Sequence, residues 1–266
     1  VLFNDPVHCA GLLTEEWLSK CVLANHFPQV MALTPDRRQH LYYVMTYHEG
    51  ATLAQKLDRG YRFSIAEVAQ IGMRLAEGLS ALHRLEIIHR DIKPANLHGG
   101  ADGKLRILDL GVALNPALAH GRDMGNAGTP SFMAPELFAG EAPSVQSDVY
   151  AAGVTLYYLL TRRYPYGEIE PFQHPRFGEP LPPTRYRPDI PQWLENILLK
   201  AVARDKKNRL ETAEELLVDL EHGALKPILR PPRTPLAERN PVLIWQSIAI
   251  ISVIINLLML YLSIVG

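Results

Sequence analysis

Residues 89–111 read HRDIKPANLHGGADGKLRILDLG, and the rest of the chain is interpreted outward from them. Short apolar runs at residues 87–88 and 105–108 enclose a polar stretch rich in glycine, asparagine and aspartate. Apolar runs separated by Gly and Asp-Gly turn residues predict a strand, a loop and a second strand. The stretch carries four side chains able to do chemistry: Asp91, Lys93, Asn96 and Asp109.

Phosphoryl transfer requires this combination of side chains. A carboxylate must accept the proton of the attacking hydroxyl and orient it, and Asp91 is the candidate for that catalytic role. Magnesium prefers carboxylate and amide oxygens, which makes Asn96 and Asp109 the candidate metal ligands. A cation must face the phosphoryl oxygens, where charge is spread in the transition state, and Lys93 is the candidate.

The same stretch resembles the catalytic loop and the magnesium loop of protein kinases, H-R-D-x-K-x-x-N followed by D-F-G. Leu110 replaces the phenylalanine and keeps an apolar side chain there. Further matches follow in order, namely GTPSFMAPE at residues 128–136 and SDVYAAG at residues 147–153. Arg209 is similar to the arginine that pairs with the glutamate of A-P-E, here Glu136. Four separated motifs in the correct order identify the chain as a member of the protein kinase superfamily.

This resemblance implies an α+β, protein-kinase-like fold with an incomplete N-lobe and a mostly helical C-lobe, followed by a single transmembrane helix. The expected domains are a partial N-lobe over residues 1–46, a C-lobe over 47–223, a linker over 224–241 and the membrane helix over 242–265.

The resemblance also implies a serine/threonine protein kinase that uses ATP and Mg²⁺ and acts on a protein substrate. Lys93, two residues after Asp91, and Thr129, two residues before Ser131, are similar to the serine/threonine branch. Ala95 stands where several base-directed kinases carry an acid, so a preference for basic substrates is not supported.

Two upstream segments resemble the remainder of a nucleotide site. A periodic apolar run predicts a helix with its first turn near Thr14, and Glu15 or Glu16 is the candidate partner of an ATP-anchoring lysine. Alternatively, both acids are first-turn residues favoured by the helix dipole. Two strands are predicted over residues 30–33 and 41–45.

The second of these strands resembles the approach to the kinase hinge. In that alignment, Met45 is the gatekeeper and the backbone of His48 binds adenine. His98 stands where many kinases place an apolar residue under the adenine.

The glycine-rich loop and the anchoring lysine of protein kinases do not occur before this helix. No such glycine cluster precedes residue 50, and the first lysine is Lys20. We therefore expect a piece of a longer, competent kinase whose first residues are internal. The alternative is a degenerate kinase, a non-catalytic scaffold tethered to the membrane. The intact base and metal ligands favour the first interpretation.

Two helices are expected to support the catalytic loop. Residues 64–85 have apolar side chains at three- and four-residue steps, and Ser64 with Glu67 forms a capping-box pattern. A second, nearly all-apolar helix is expected to open at Asp148 and run through Leu160, with Asp148 bonding the catalytic-loop backbone.

The end of the chain has the character of a membrane anchor. Residues 242–265 are predominantly apolar and uncharged, and about 1.5 Å per residue gives them roughly 36 Å, enough to cross a bilayer core of about 30 Å. Arg230, Arg233 and Arg239 precede this run, which predicts a single-pass protein with its kinase lobe in the cytoplasm.

Composition and the predicted membrane anchor indicate which partners and additional domains to expect. The formal net charge of −1 argues against a nucleic-acid partner bound through phosphates. A kinase lobe with a terminal anchor resembles bacterial serine/threonine kinases fused behind a metal-dependent phosphatase domain, so such a domain is expected upstream in the parent chain.

Overall fold

The computed structural model describes residues 6–22, 25–31, 42–115, 128–173 and 175–225, together with Ser252. All of these except Ser252 belong to one compact unit, Val1–Pro227. The predicted membrane helix, apart from Ser252, and nearly all of the predicted linker lie outside the described residues. Within the described part of the chain, no helix combines the length and the apolar character needed to cross a membrane.

The N-terminal part is a helix beside a pair of short strands. Helix α1 spans Pro6–Cys21, and strands β1 (Val30–Met31) and β2 (Val44–Met45) pair antiparallel with Val30 opposite Met45. The expected helix start near Thr14 is wrong. Helix α1 begins at Pro6, where a proline costs little because a first-turn N–H has no partner in the helix. Both described residues of the first predicted strand are in β1, whereas residues 42 and 43 of the second predicted strand are not in a strand; residues 32–41 lie outside the description.

A three-stranded antiparallel sheet carries the catalytic stretch. Its strands are β3 (Gly50–Thr52), β4 (Leu97–Gly100) and β5 (Leu105–Ile107), with β4 in the centre. The predicted second strand, at residues 105–108, is confirmed by β5, whereas the prediction that residues 97–100 belong to a loop is wrong, because they form β4. The apolar run at residues 87–88 contributes only an isolated bridge between Ile88 and Leu114.

Among the described residues, six helices and four 3-10 turns follow these strands or connect them. The helices are α2 (Leu53–Asp58), α3 (Ile65–His83), α4 (Pro135–Phe138), α5 (Val145–Thr161), α6 (Gln192–Ala201) and α7 (Ala213–Leu225). The 3-10 turns are Pro94–Asn96, Pro130–Phe132, Pro183–Arg185 and Lys206–Asn208. Helix α3 packs against α5 and α7, and α5 packs against α6. This arrangement buries a leucine-rich core beneath the catalytic stretch.

The starts of α3 and α5 test two predictions. The capping box of α3 is confirmed, because Ser64 Oγ accepts the Glu67 N–H at 3.2 Å and Glu67 Oε2 accepts the Ser64 N–H at 2.8 Å. The prediction that α5 opens at Asp148 is wrong. Helix α5 begins at Val145, and Ser147 Oγ accepts the N–H of Ser144 at 3.0 Å. Asp148 therefore does not cap α5, and its carboxylate contacts the catalytic loop instead.

Candidate active site

The two candidate metal ligands are adjacent because of the β4–β5 hairpin. Leu97 pairs with Ile107, and the ladder continues one residue further through a bond from the Leu108 N–H to the Asn96 carbonyl at 2.8 Å. Asp109 is the next residue after Leu108. Backbone hydrogen bonds of the hairpin therefore place Asn96 beside Asp109.

The Asp91 carboxylate is fixed by four hydrogen-bond donors. Its Oδ2 accepts from Lys93 Nζ at 2.7 Å and from Asn96 Nδ2 at 2.9 Å. Its Oδ1 accepts from the N–H and the hydroxyl of Thr129 at 3.1 and 3.0 Å. The side chain retains 11% exposure, so an incoming hydroxyl can still reach it. The carboxylate is thus held in one orientation at the surface.

Thr129 belongs to this site although it was not among the predicted catalytic residues. Its hydroxyl donates to Asp91 and accepts from Lys93 Nζ at 2.7 Å, which ties the two predicted catalytic residues together. Gly128 permits this approach, since its φ is +127° and an added Cβ would lie 2.8 Å from the Arg90 carbonyl. The sequence signal was the spacing of Thr129 from Ser131, which we used only to assign the serine/threonine branch.

The side-chain amide of Asn96 is oriented for metal binding. Its Nδ2 donates both to the Asp91 carbonyl at 2.8 Å and to the Asp91 carboxylate, which leaves Oδ1 as the acceptor. Asp109 is exposed, with a left-handed φ of +65°, and its Oδ1 accepts the Gly111 N–H at 3.0 Å. One amide oxygen and one carboxylate suit Mg²⁺, which takes few protein ligands beside phosphate oxygens and water.

A self-sufficient metal cage does not occur in the described residues, where no three His, Cys, Asp or Glu side chains cluster as a metal site. Two oxygen donors leave coordination positions for other ligands, so the Asn96 and Asp109 donor set fits a metal that is shared with nucleotide phosphates.

A buried layer beneath the loop positions it. Asp148, 1% exposed, accepts the N–H groups of His89 and Arg90 at 2.8 and 2.9 Å, and its Oδ2 lies 3.0 Å from His83 Nε2. The predicted anchoring of the catalytic-loop backbone by Asp148 is confirmed. Because Asp148 satisfies two consecutive N–H groups, Arg90 can adopt its left-handed φ of +72°.

His89 acts in the same layer. It is fully buried, and burial lowers its pKa despite the opposing effect of Asp148. The neutral ring matches its contacts, since Nδ1 accepts the Asp91 N–H at 3.3 Å and Nε2 lies 3.3 Å from the Leu108 carbonyl. His89 therefore links the backbone of Asp91 with the backbone of Leu108, next to Asp109.

A buried ion pair holds the segment that carries Thr129. Arg209 donates from both terminal nitrogens to Glu136, at 2.7 and 2.9 Å, which confirms the predicted pairing. Arg209 also donates to the carbonyls of Ala203, Gln146 and Arg204. The pair therefore joins the start of α4 to the loop before α7.

Of the two candidate glutamates, Glu15 faces the magnesium loop. Its carboxylate accepts from the Tyr43 hydroxyl at 2.6 Å and from the Leu110 N–H. Burial, with a further contribution from Asp109, raises the pKa of Glu15. Glu16 instead pairs with Lys20 at 2.6 Å. The alternative that both are first-turn acids is wrong, because α1 begins at Pro6.

The predicted adenine contacts lie at the end of β2 and just beyond it. Met45 lines a cavity of about 20 Å³ together with Glu15, Tyr43 and Asp109. His48 Nε2 lies 3.1 Å from the Thr46 hydroxyl and does not line that cavity. Leu110 is buried in the core, as expected for an apolar plug.

Comparison with known proteins assigns the family. Residues 22–219 match the model of the protein kinase domain, so the chain belongs to the protein kinase family. It is 34% identical over 191 residues to the serine/threonine-protein kinase PknB of Mycolicibacterium smegmatis, covering 67% of this chain and 30% of that protein.

Two further relatives have similar coverage. A probable serine/threonine-protein kinase of Streptomyces coelicolor and the kinase PrkC of Bacillus subtilis are each 33% identical over 187 residues, covering 68% of this chain and 28% of each relative. The chain thus spans less than a third of the length of these relatives.

Proposed function

We propose that the protein containing this chain transfers the γ-phosphoryl group of ATP to serine or threonine hydroxyls of protein substrates, with Mg²⁺. The observation that carries this proposal is that four donors hold the Asp91 carboxylate in one orientation. Two of these donors are the side chains of Lys93 and Asn96, and Asp109 lies beside Asn96. The relatives, which are named serine/threonine-protein kinases, support the same activity.

Each residue has a distinct task in this mechanism. Asp91 orients the substrate hydroxyl and accepts its proton as the hydroxyl oxygen attacks. Lys93, held between Asp91 and Thr129, places its positive charge where phosphoryl oxygens gain charge. Asn96 Oδ1 and the Asp109 carboxylate would hold Mg²⁺, which when bound neutralises the charge of the β- and γ-phosphates.

The direct test is ATP-dependent labelling of a generic protein substrate by the full-length protein. Asp91→Asn keeps the shape of the side chain but removes the base, and we expect about 10²- to 10⁴-fold slower transfer. Asp189→Asn is the matched control, because Asp189 pairs with Arg187 at the surface and should be silent. Equal labelling by wild type and Asp91→Asn would instead support the non-catalytic scaffold.

We further propose that residues 242–265 anchor the protein in a membrane as a single pass, with the kinase lobe in the cytoplasm. The support is sequence alone, namely an uncharged apolar run preceded by Arg230, Arg233 and Arg239. The test is fractionation of cells that express the full-length protein with and without residues 242–265. Recovery of both forms in the soluble fraction would refute the proposal.

We also propose that a metal-dependent phosphatase domain precedes the kinase part in the parent chain. This rests only on the resemblance of a kinase lobe with a terminal anchor to such fused proteins. Reading the natural sequence before Val1 decides it.

A further inference from the structure

A cavity of about 170 Å³ lies beside the catalytic loop and has no role in the proposed phosphoryl transfer. Lys93, Pro94 and Ala95 form one wall, α2 forms a second wall, and Phe132 is part of a third. Pockets for whole small-molecule ligands are typically about 300–1,000 Å³. The size of this cavity therefore suits a single side chain.

Seven of the ten residues that line this cavity are apolar or aromatic. Phe132 contacts Tyr164 edge-on with ring centroids 5.6 Å apart, and Tyr158 stacks on Tyr164 at 4.8 Å. Burial raises the pKa of Tyr164 to about 12, so this wall stays uncharged at neutral pH. Ala54 and Leu57 of α2 line the opposite side.

Three charged residues line the cavity, and the charged groups of two of them, Lys93 and Arg162, are bonded to other parts of the protein. Lys93 Nζ bonds Asp91 and Thr129, which leaves the aliphatic stem of Lys93 to line the cavity. The Arg162 guanidinium donates to the carbonyls of Leu57 and Tyr61. Asp58 is an exposed carboxylate that would attract a cation instead.

The cavity is continuous with the site of the phosphoacceptor. Lys93 lines it and also contacts Asp91, and Phe132 lies three residues after Thr129, which bonds the same carboxylate. An extended peptide advances about 3.3 Å per residue. Because Lys93 is shared, a side chain near the phosphoacceptor of an extended substrate that meets Asp91 is within reach of this cavity.

We propose that this cavity binds one apolar side chain of the protein substrate close to the phosphoacceptor, so that the kinase selects substrates with an apolar residue there in preference to a basic one. This inference rests on the proposed function and specifies the substrate class of the same site. Burying an apolar side chain is favourable in proportion to the area removed from water, and a well-fitted pocket discriminates by about tenfold or more.

The test is phosphorylation of positional-scanning peptides, with a fixed serine or threonine, by the full-length protein. We expect Leu, Ile, Met or Phe at one position near the phosphoacceptor to raise kcat/KM about tenfold over Ala. Ala54→Leu fills the cavity and should reduce this preference to less than about twofold. The matched control is Ala66→Leu, the same change at an exposed position of α3 outside the cavity, and it should retain the preference.

A second measurement separates failure of this proposal from failure of the proposed function. Anisotropy of fluorescent peptides, with alanine at the phosphoacceptor and leucine or alanine at each flanking position in turn, reports binding without chemistry. If no peptide is phosphorylated but leucine peptides bind more tightly and Ala54→Leu abolishes the difference, the cavity proposal stands and the proposed function falls. Phosphorylation and binding without an apolar preference, or with Arg or Lys enriched through Asp58, would overturn the cavity proposal.

Discussion

Four acidic side chains fall into two groups: two carboxylates are buried with protein partners, and two reach the surface. Asp148 and Glu136 are 1% and 6% exposed and receive their hydrogen bonds from backbone N–H groups and from Arg209. Asp91 and Asp109 reach the surface beside the hairpin. A buried carboxylate is tolerated only when its partners are complete. The first group therefore fixes the loop, and the second is available for chemistry.

The largest stability effect should come from the buried ion pair. Glu136→Gln leaves Arg209 buried without its counter-charge, and we expect a loss of about 3–5 kcal/mol in the free energy of unfolding. The matched control is Glu141→Gln, which breaks the surface pair of Glu141 with Lys206 and should cost about 0–1 kcal/mol. Chemical denaturation measures both, and equal losses would contradict the distinction between the two groups.

The next prediction compares Asp148, which anchors the catalytic-loop backbone, with Asp109, a proposed metal ligand. Asp148→Asn replaces an acceptor oxygen by an NH₂ group facing backbone N–H donors, which should cost about 1–3 kcal/mol of stability. Asp109→Asn alters an exposed side chain, so it should hardly change stability while it weakens magnesium-dependent transfer. Thermal denaturation and a kinase assay on both variants check this. A destabilised Asp109→Asn protein would show that Asp109 also holds the fold together.

A smaller effect is expected at the start of α3, which carries no reactive side chain. Ser64→Ala removes the acceptor for the Glu67 N–H and should cost about 1 kcal/mol. Ser64→Gly should cost only a few tenths, because glycine is itself acceptable at an N-cap. Denaturant midpoints measure the difference. Equal behaviour of the two variants would mean that the capping bond contributes nothing.

The smallest effect concerns pH and His89. Because burial lowers the pKa of His89, the unfolded chain binds a proton at a higher pH than the folded one. The corresponding stability is complete above about pH 6.5, the ordinary value, and is lost as pH falls toward the lowered pKa. Melting between pH 7.5 and 5.5 should show this loss. It should shrink in His89→Gln and persist in His222→Gln, where the histidine is exposed. A loss unchanged in His89→Gln would exclude His89 as its source.

The sequence predicted what depends on local spacing. The strand at residues 105–107, the cap at Ser64 and the pairing of Glu136 with Arg209 all follow from short motifs whose residues have one physical role. The strand at residues 97–100 was missed because its glycines are typical of a loop. The start of α1 at Pro6 was missed because the first residues have no clear apolar period. Asp148 was placed at a helix start because an aspartate before an apolar run is a common cap, although Ser144 and Ser147 precede it.

Contacts between distant segments could not be read from spacing. Thr129 contacts Asp91 across 38 residues, next to a close approach of Gly128 to the Arg90 carbonyl that a side chain would obstruct. Likewise, adjacent Glu15 and Glu16 are equivalent in sequence, and the helix rotation alone decides which one faces Asp109.

The central claim is that Asp91 orients the hydroxyl while Asn96 and Asp109 hold the metal. Magnesium titration of phosphoryl transfer by the full-length protein tests it most directly. We predict that Asn96→Ala and Asp109→Asn raise the magnesium concentration needed for half-maximal rate, whereas Asp91→Asn lowers the rate at saturating magnesium and leaves that concentration unchanged. An unchanged magnesium requirement in Asn96→Ala and Asp109→Asn, or a full rate in Asp91→Asn, would contradict the account.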